Sequence, residues 1–112
     1  MCGICGELRF DGVSPDMGAI GRMSAMLARR GPDHAGTFTE GPLAFGHRRL
    51  AIIDLSASAD QPMVDHNLQL ALVFNGTIYN YRELRAELIA IGYVFFSGSD
   101  TEVILKAFHA WG

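Results

Sequence analysis

Residues 1–10 read Met1-Cys2-Gly3-Ile4-Cys5-Gly6-Glu7-Leu8-Arg9-Phe10, and the turn pair Asp11-Gly12 follows them. Gly3 to Phe10 alternates weakly between faces, which predicts a strand closed by that turn. The same stretch holds both cysteines of the chain. A Cys-x-x-Cys pair in a redox protein sits at a helix N-terminus, where the thiol pKa falls. In a strand the two residues lie about 10 Å apart, beyond the roughly 7 Å that a disulfide spans. Zinc would need two further ligands, for which His34 and His47 are the candidates, although no second Cys-x-x-Cys or spaced histidine pair is present. Cys2 then stands either as a small apolar start to the strand or as a nucleophile.

Outward from this strand, Ser14-Pro15-Asp16 predicts a helix capped by Ser14. Its buried stripe would be Met17, Ile20, Met23 and Leu27, at spacings of three and four. Arg29-Arg30-Gly31-Pro32-Asp33 breaks it. Thr37–Thr39 and Leu43–Phe45 read as a hairpin around Glu40-Gly41-Pro42. His47–Asp54 reads as a strand, Ser56–Pro62 as a loop, and Leu68–Phe74 as a second apolar strand ending at Asn75-Gly76. Asn80 and Ser99 each precede a glutamate by three residues, the spacing of a capping box. The two helices they open carry Leu84, Leu88 and Ile91, then Val103, Ile104, Ala107, Phe108 and Trp111. Gly92 stops the first, and Tyr93–Phe96 reads as a short strand. Strands joined by turns, with separate helices, predict an α+β fold with antiparallel sheets.

The length of 112 residues fits one small domain, and 49% hydrophobic residues exclude a disordered chain. Nine basic against twelve acidic residues leave no electrostatic surface for nucleic acid or membrane. Only one of the nine is a lysine, so eight arginines can offer fork-shaped contacts to carboxylates. No window approaches the roughly 18 apolar residues of a membrane span, and the first residues lack a signal peptide's regions. A reducing, cytoplasmic location is expected. The last helical pattern runs into Trp111-Gly112, which reads as the front part of something longer.

Four features carry possible chemistry. A small second residue permits removal of Met1, leaving Cys2 with a free α-amine on the carbon that bears its thiol side chain. That amine (reference pKa about 8) is matched to a thiol of roughly 8.5 and can serve as its base. Asn75-Gly76 is either a hairpin turn or an oxyanion hole, with the Asn75 amide and the Gly76 N–H aimed at a developing negative oxygen. Alternation sends Arg48 and Arg49 to opposite faces, so that one can be solvated while the other enters a cleft and takes a carboxylate; an ordinary surface salt bridge is the competing reading. Asp100 is a first-turn acid, favoured by the helix dipole, or a partner for a ligand ammonium. Together these describe a site for an α-amino acid with an acyl side chain, and glutamine fits.

The ordered motifs Met-Cys-Gly-Ile-Cys-Gly, Arg-Gly-Pro-Asp (30–33), Gly-His-Arg-Arg-Leu-Ala-Ile-Ile-Asp (46–54), Phe-Asn-Gly-Thr-Ile-Tyr-Asn (74–80) and Gly-Ser-Asp-Thr-Glu (98–102) resemble the class II glutamine amidotransferases. Within them the chain is most similar to the asparagine synthetase (glutamine-hydrolysing) branch. The wording of residues 7–12, 61–65 and 106–112 looks closest to the N-acetylglutaminylglutamine amidotransferases. The resemblance implies an N-terminal-nucleophile (αββα) hydrolase fold, two stacked antiparallel sheets between helical layers, incomplete over these residues. Residues 1–112 would be the N-terminal part of the glutaminase domain, with the synthetase domain absent. Cys2 would be nucleophile and base, and Asn75 and Gly76 the oxyanion hole. Arg49 would hold the glutamine carboxylate, Asp100 its ammonium, and Leu50, Ala51, Ile52 and Ile53 would line the pocket. Arg30 and Asp33 would support it. Thr77 departs from the pattern, since asparagine synthetases usually carry an acid there that helps to bind the ammonium. No metal or cofactor is expected on these residues; ATP and Mg belong to the synthetase domain, which would activate the acceptor carboxylate. Unpaired sheet edges lead to an expectation of self-association, a homodimer being the simplest form. The rival from another class is a non-catalytic module that senses glutamine with the same pocket.

Overall fold

In the computed structural model, which describes residues 1–112, the N-terminal stretch forms strand β1 (Gly3–Leu8). Strands β2 (His34–Glu40) and β3 (Leu43–Arg49) make the anticipated hairpin, longer at both ends. Both neighbours pair antiparallel with β3, giving the order β1-β3-β2. Register sets Gly3 opposite Arg48 and Cys5 opposite Gly46. A side chain on Gly46 would lie 2.6 Å from the Cys5 Sγ, so this position must stay bare for the strands to sit under helix α1 (Met17–Met26).

Helix α1 covers one face of this sheet, and its start and its buried face both differ from expectation. Asp16, not Ser14, is the N-cap: its carboxylate accepts from the Ala19 N–H at 3.0 Å. Its own N–H donates to Glu7 of β1 at 3.1 Å, fixing the helix entry two residues later than the proline pattern implied. The face against the sheet holds Ile20 and Ser24, while Met17 and Met23 remain partly exposed and Met26 lies in solvent. The cause is Arg48, whose Nε donates to the Ser24 carbonyl and hydroxyl and rotates that side of the helix inward.

The opposite face of β3 looks toward a second, two-stranded antiparallel sheet, β4 (Met63–Asp65) and β5 (Leu70–Leu72), with Met63 opposite Leu72. Phe38, Leu43 and Phe45 of the first sheet and Val64, Leu70 and Ala71 of the second line an open cleft of about 750 Å³. Helices α2 (Tyr81–Ala90) and α3 (Asp100–Trp111) pack on each other, and α3 also lies on β4 and β5. Ile20, Ala44, Ala59, Met63, Leu88, Val103 and Leu105 form the buried apolar core. The architecture is α+β with two small antiparallel sheets, and no helix is long and apolar enough to cross a membrane.

Three further expectations are corrected. The run His47–Asp54 is not one strand: β3 ends at Arg49, and residues 50–54 fold around the Arg49 guanidinium as a loop. Tyr93–Phe96 forms no strand, because the Phe96 and Ser97 N–H groups are taken by the Glu102 carboxylate. That carboxylate is therefore absent from the capping box at Ser99, which caps the Thr101 N–H alone, and Asn80 makes no side-chain cap. Helix α3 turns its polar residues Asp100, Thr101, Glu102 and Lys106 inward and leaves Phe108 and Trp111 half exposed. Lys106 bridges Asp65 at 2.7 Å and Glu102 at 2.6 Å, all three buried.

Candidate active site

The site assembles where β1 begins and β3 ends. Antiparallel pairing brings Cys2 beside Leu50, and the Cys2 Sγ accepts from the Leu50 N–H at 3.3 Å. The Arg30-Gly31-Pro32-Asp33 corner braces both partners. Arg30 Nε donates to the Cys2 carbonyl at 3.2 Å, and Asp33 accepts from the Ala51 N–H at 2.8 Å. The Asp33 N–H donates to the Arg49 carbonyl at 2.9 Å. Gly31 is pressed against β3 so closely that a Cβ would fall 2.2 Å from the Arg48 carbonyl carbon.

Arg48 and Arg49 do project from opposite faces. Arg49 is buried, and its guanidinium donates to the Ser56 carbonyl at 2.9 Å, to Asp60 at 2.8 Å, to the Ile53 carbonyl at 3.3 Å and to the Asp54 carbonyl. Five N–H donors on a rigid plane suit such a cage. Asp54, in the left-handed region at φ 51°, continues the assembly by accepting from Ser56 and, at 2.6 Å, from the Gly98 N–H. The Ser56 hydroxyl and then the Gly98 N–H hold the Asp54 carboxyl below its ordinary range. This carboxylate ties the 50s loop to the start of α3, where Ser99 and Asp100 sit.

Asp100 is 5% exposed and accepts from the Ile78 N–H at 2.9 Å. It thereby closes one end of the loop Asn75-Gly76-Thr77. At the other end Gln61 accepts from the Phe74 N–H at 2.6 Å, while His47 Nε2 lies 3.2 Å from the Phe74 carbonyl. A carbonyl only accepts, so His47 is the Nε2–H tautomer. Burial pushes its pKa down; the Phe74 carbonyl opposes this, and Arg49 and His34 add to it. Between these anchors the Asn75 side chain and the Gly76 N–H make no intramolecular hydrogen bond.

One cleft of about 110 Å³ collects the result. It is lined by Cys2, Arg49, Leu50, Ile52, Ile53, Asn75, Gly76, Thr77 and Asp100. Of the residues anticipated for the site only Ala51 is outside the lining, its N–H engaged by Asp33. Gln61, Phe74, Ser99 and Thr101 line it as well and were not anticipated. Gln61 read as part of a loop, and nothing in its local pattern shows that it bonds across 13 and 40 residues. Cys5 lies elsewhere: its thiol points at the Ile20 carbonyl under α1, and burial raises its pKa. The cleft therefore presents a thiol, a guanidinium, a carboxylate and two unengaged amide donors around a space larger than a single water needs.

A family model described as a glutamine amidotransferase domain matches residues 1–112. The chain is 46% identical over 89 residues to asparagine synthetase [glutamine-hydrolyzing] 1 of Bacillus subtilis, covering 80% of this chain and 14% of that protein. It is 37% identical over 114 residues to asparagine synthetase [glutamine-hydrolyzing] 3 of the same organism, covering 99% of this chain and 18% of the relative. The asparagine synthetase [glutamine-hydrolyzing] of Triphysaria versicolor is 40% identical over 113 residues, covering 97% of this chain and 19% of its own length. The chain thus spans less than a fifth of the length of these relatives.

Proposed function

This chain belongs to the glutamine amidotransferase family, and from that premise we propose that it hydrolyses the side-chain amide of glutamine to release ammonia. The observation that carries the reading is the gathering of Cys2, Arg49, Asn75, Gly76 and Asp100 around one cleft, from segments up to 98 residues apart. Met1 is 69% exposed, so the bond to be cut before Cys2 can act lies at the surface. With Met1 gone, the Cys2 α-amine takes the thiol proton and sulfur attacks the amide carbon, forming the C–S bond. The developing oxyanion is met by the Asn75 amide and the Gly76 N–H. The protonated amine then donates to the leaving nitrogen, the C–N bond breaks, and ammonia departs from a glutamyl thioester. Water attacks the thioester, releasing glutamate and restoring the thiol.

Arg49 would take the α-carboxylate, exchanging an internal acceptor of its cage for the ligand, and Asp100 the ammonium. Leu50, Ile52 and Ile53 wall the pocket, and Thr77 leaves Asp100 as the ammonium's one carboxylate. The two antiparallel sheets flanked by helices accord with an N-terminal-nucleophile fold of which residues 1–112 are one part. In the whole protein the ammonia would pass to an acceptor carboxylate activated by ATP and Mg outside these residues, either that of aspartate or that of a peptide. The wording of residues 7–12, 61–65 and 106–112 favours the peptide. Glutamate and ammonia production from glutamine, compared between the wild-type full chain and Cys2→Ala, tests the central step. Loss of activity in the variant supports it; equal activity in both sinks it.

A further inference from the structure

The catalytic reading leaves two buried side chains without a task. Gln61 is 6% exposed and His47 fully buried, and each directs one hydrogen-bonding atom at the same loop residue, Phe74. Gln61 Oε1 accepts from the Phe74 N–H at 2.6 Å, and His47 Nε2 donates to the Phe74 carbonyl at 3.2 Å. Holding both polar groups of one residue fixes its rotation about the chain axis. Gln61 Nε2 donates in turn to Thr101 Oγ1 at 3.3 Å, one residue after Asp100. The loop between these anchors has no regular structure of its own, and the Phe74 ring lies against Gly76, where a Cβ would fall 2.8 Å from its Cζ. Any roll of the Phe74 peptide therefore moves the Gly76 N–H.

We propose that Gln61 and His47 are positioning residues for the reaction: by clamping the Phe74 peptide they aim the Asn75 amide and the Gly76 N–H at the oxyanion. The proposal rests on the reading of Asn75 and Gly76 as the oxyanion hole. Neither clamp residue needs to touch the reacting amide, and neither holds the carboxylate or ammonium of glutamine. Their loss should act on the transition state and spare ground-state binding. Misplacing a catalytic donor by about 1 Å costs on the order of 100-fold in rate.

The experiment compares glutamine hydrolysis by the wild-type full chain with Gln61→Met, His47→Leu, His47→Gln and the milder Thr101→Val. Inhibition by the γ-aldehyde analogue of glutamine is measured alongside. That analogue forms a tetrahedral adduct on a thiol and so samples the oxyanion hole directly. Gln61→Met and His47→Leu should lose roughly 10- to 100-fold in kcat with KM within about threefold, and aldehyde affinity should fall in step. His47→Gln returns an N–H near the same place and should recover most of the rate. Thr101→Val, which only frees the far end of Gln61, should show a smaller fall in kcat and serves if the larger changes prevent folding. Folded variants with wild-type kcat, or an aldehyde affinity that stays constant while KM rises, overturn the clamp. A wild-type chain that hydrolyses no glutamine overturns the functional reading and the clamp with it.

Discussion

Asp100 does two jobs with one carboxylate, and they can be separated. It holds the Ile78 N–H at 2.9 Å and, on the reading above, the glutamine ammonium. Asp100→Asn keeps an oxygen for Ile78 and removes the charge. A hydrogen bond to a charged group contributes about 1.5–3 kcal/mol, so KM for glutamine should rise about tenfold or more with the fold intact. An unchanged KM would remove Asp100 from the ammonium site. Thr77 sits exposed in the same cleft, at the position where the family resemblance implies an acid. Thr77→Glu should lower KM by about two- to fivefold, the worth of a solvated ion pair. If steady-state kinetics show no gain, the threonine is not the cause of a weakened ammonium contact.

At the scale of elements, two packing devices hold the site together, and both can be broken singly. Gly31→Ala places a methyl group inside the Arg48 backbone, which cannot yield as a side chain can. The corner that braces Cys2 and Ala51 must then move, at a cost of about 1–3 kcal/mol or more in denaturant titration. A titration matching the wild type would mean that the corner is free to shift. The buried Asp65–Lys106–Glu102 group joins β4 to α3, and Glu102 also holds the Phe96 and Ser97 N–H groups. Lys106→Met leaves two buried carboxylates unpaired and should cost about 3–5 kcal/mol by the same measurement. This group also shows where sequence reading reaches its limit. The turn at Asp11-Gly12, the hairpin through Gly41-Pro42 and the helix starts near residues 80 and 99 are local and legible. Three features were set instead by side-chain hydrogen bonds that no periodicity shows. They are the end of β3 at Arg49, the missing strand at 93–96 and the inward polar face of α3. The motif residues Cys2, Arg49, Asn75, Gly76 and Asp100 were legible by type and order. Gln61 was not, because its partners lie 13 and 40 residues away.

The whole molecule should carry a pH signature from the join between its two sheets. His47 lies on β3 of the first sheet and donates to Phe74, just past β5 of the second. Its burial depresses its pKa, with Arg49 and His34 facing it and Asp60 opposing them weakly. The folded state therefore binds fewer protons than the unfolded one below the ordinary histidine value of about 6.5. Stability should be full above that value and fall as pH drops through it, well before the carboxylates titrate. His47→Gln should flatten this part of the profile in melts between pH 7.5 and 5; a parallel profile in the variant would assign the loss to other groups. The proposed catalysis needs Cys2 with a free amine in a cleft that takes glutamine, and the intact mass of the full chain reads both conditions at once. Before and after treatment with a glutamine-shaped electrophile, it should show loss of Met1 and a single adduct, mapped to Cys2 and blocked by excess glutamine. Retained Met1 with no adduct would contradict catalysis and leave a chain that at most binds glutamine.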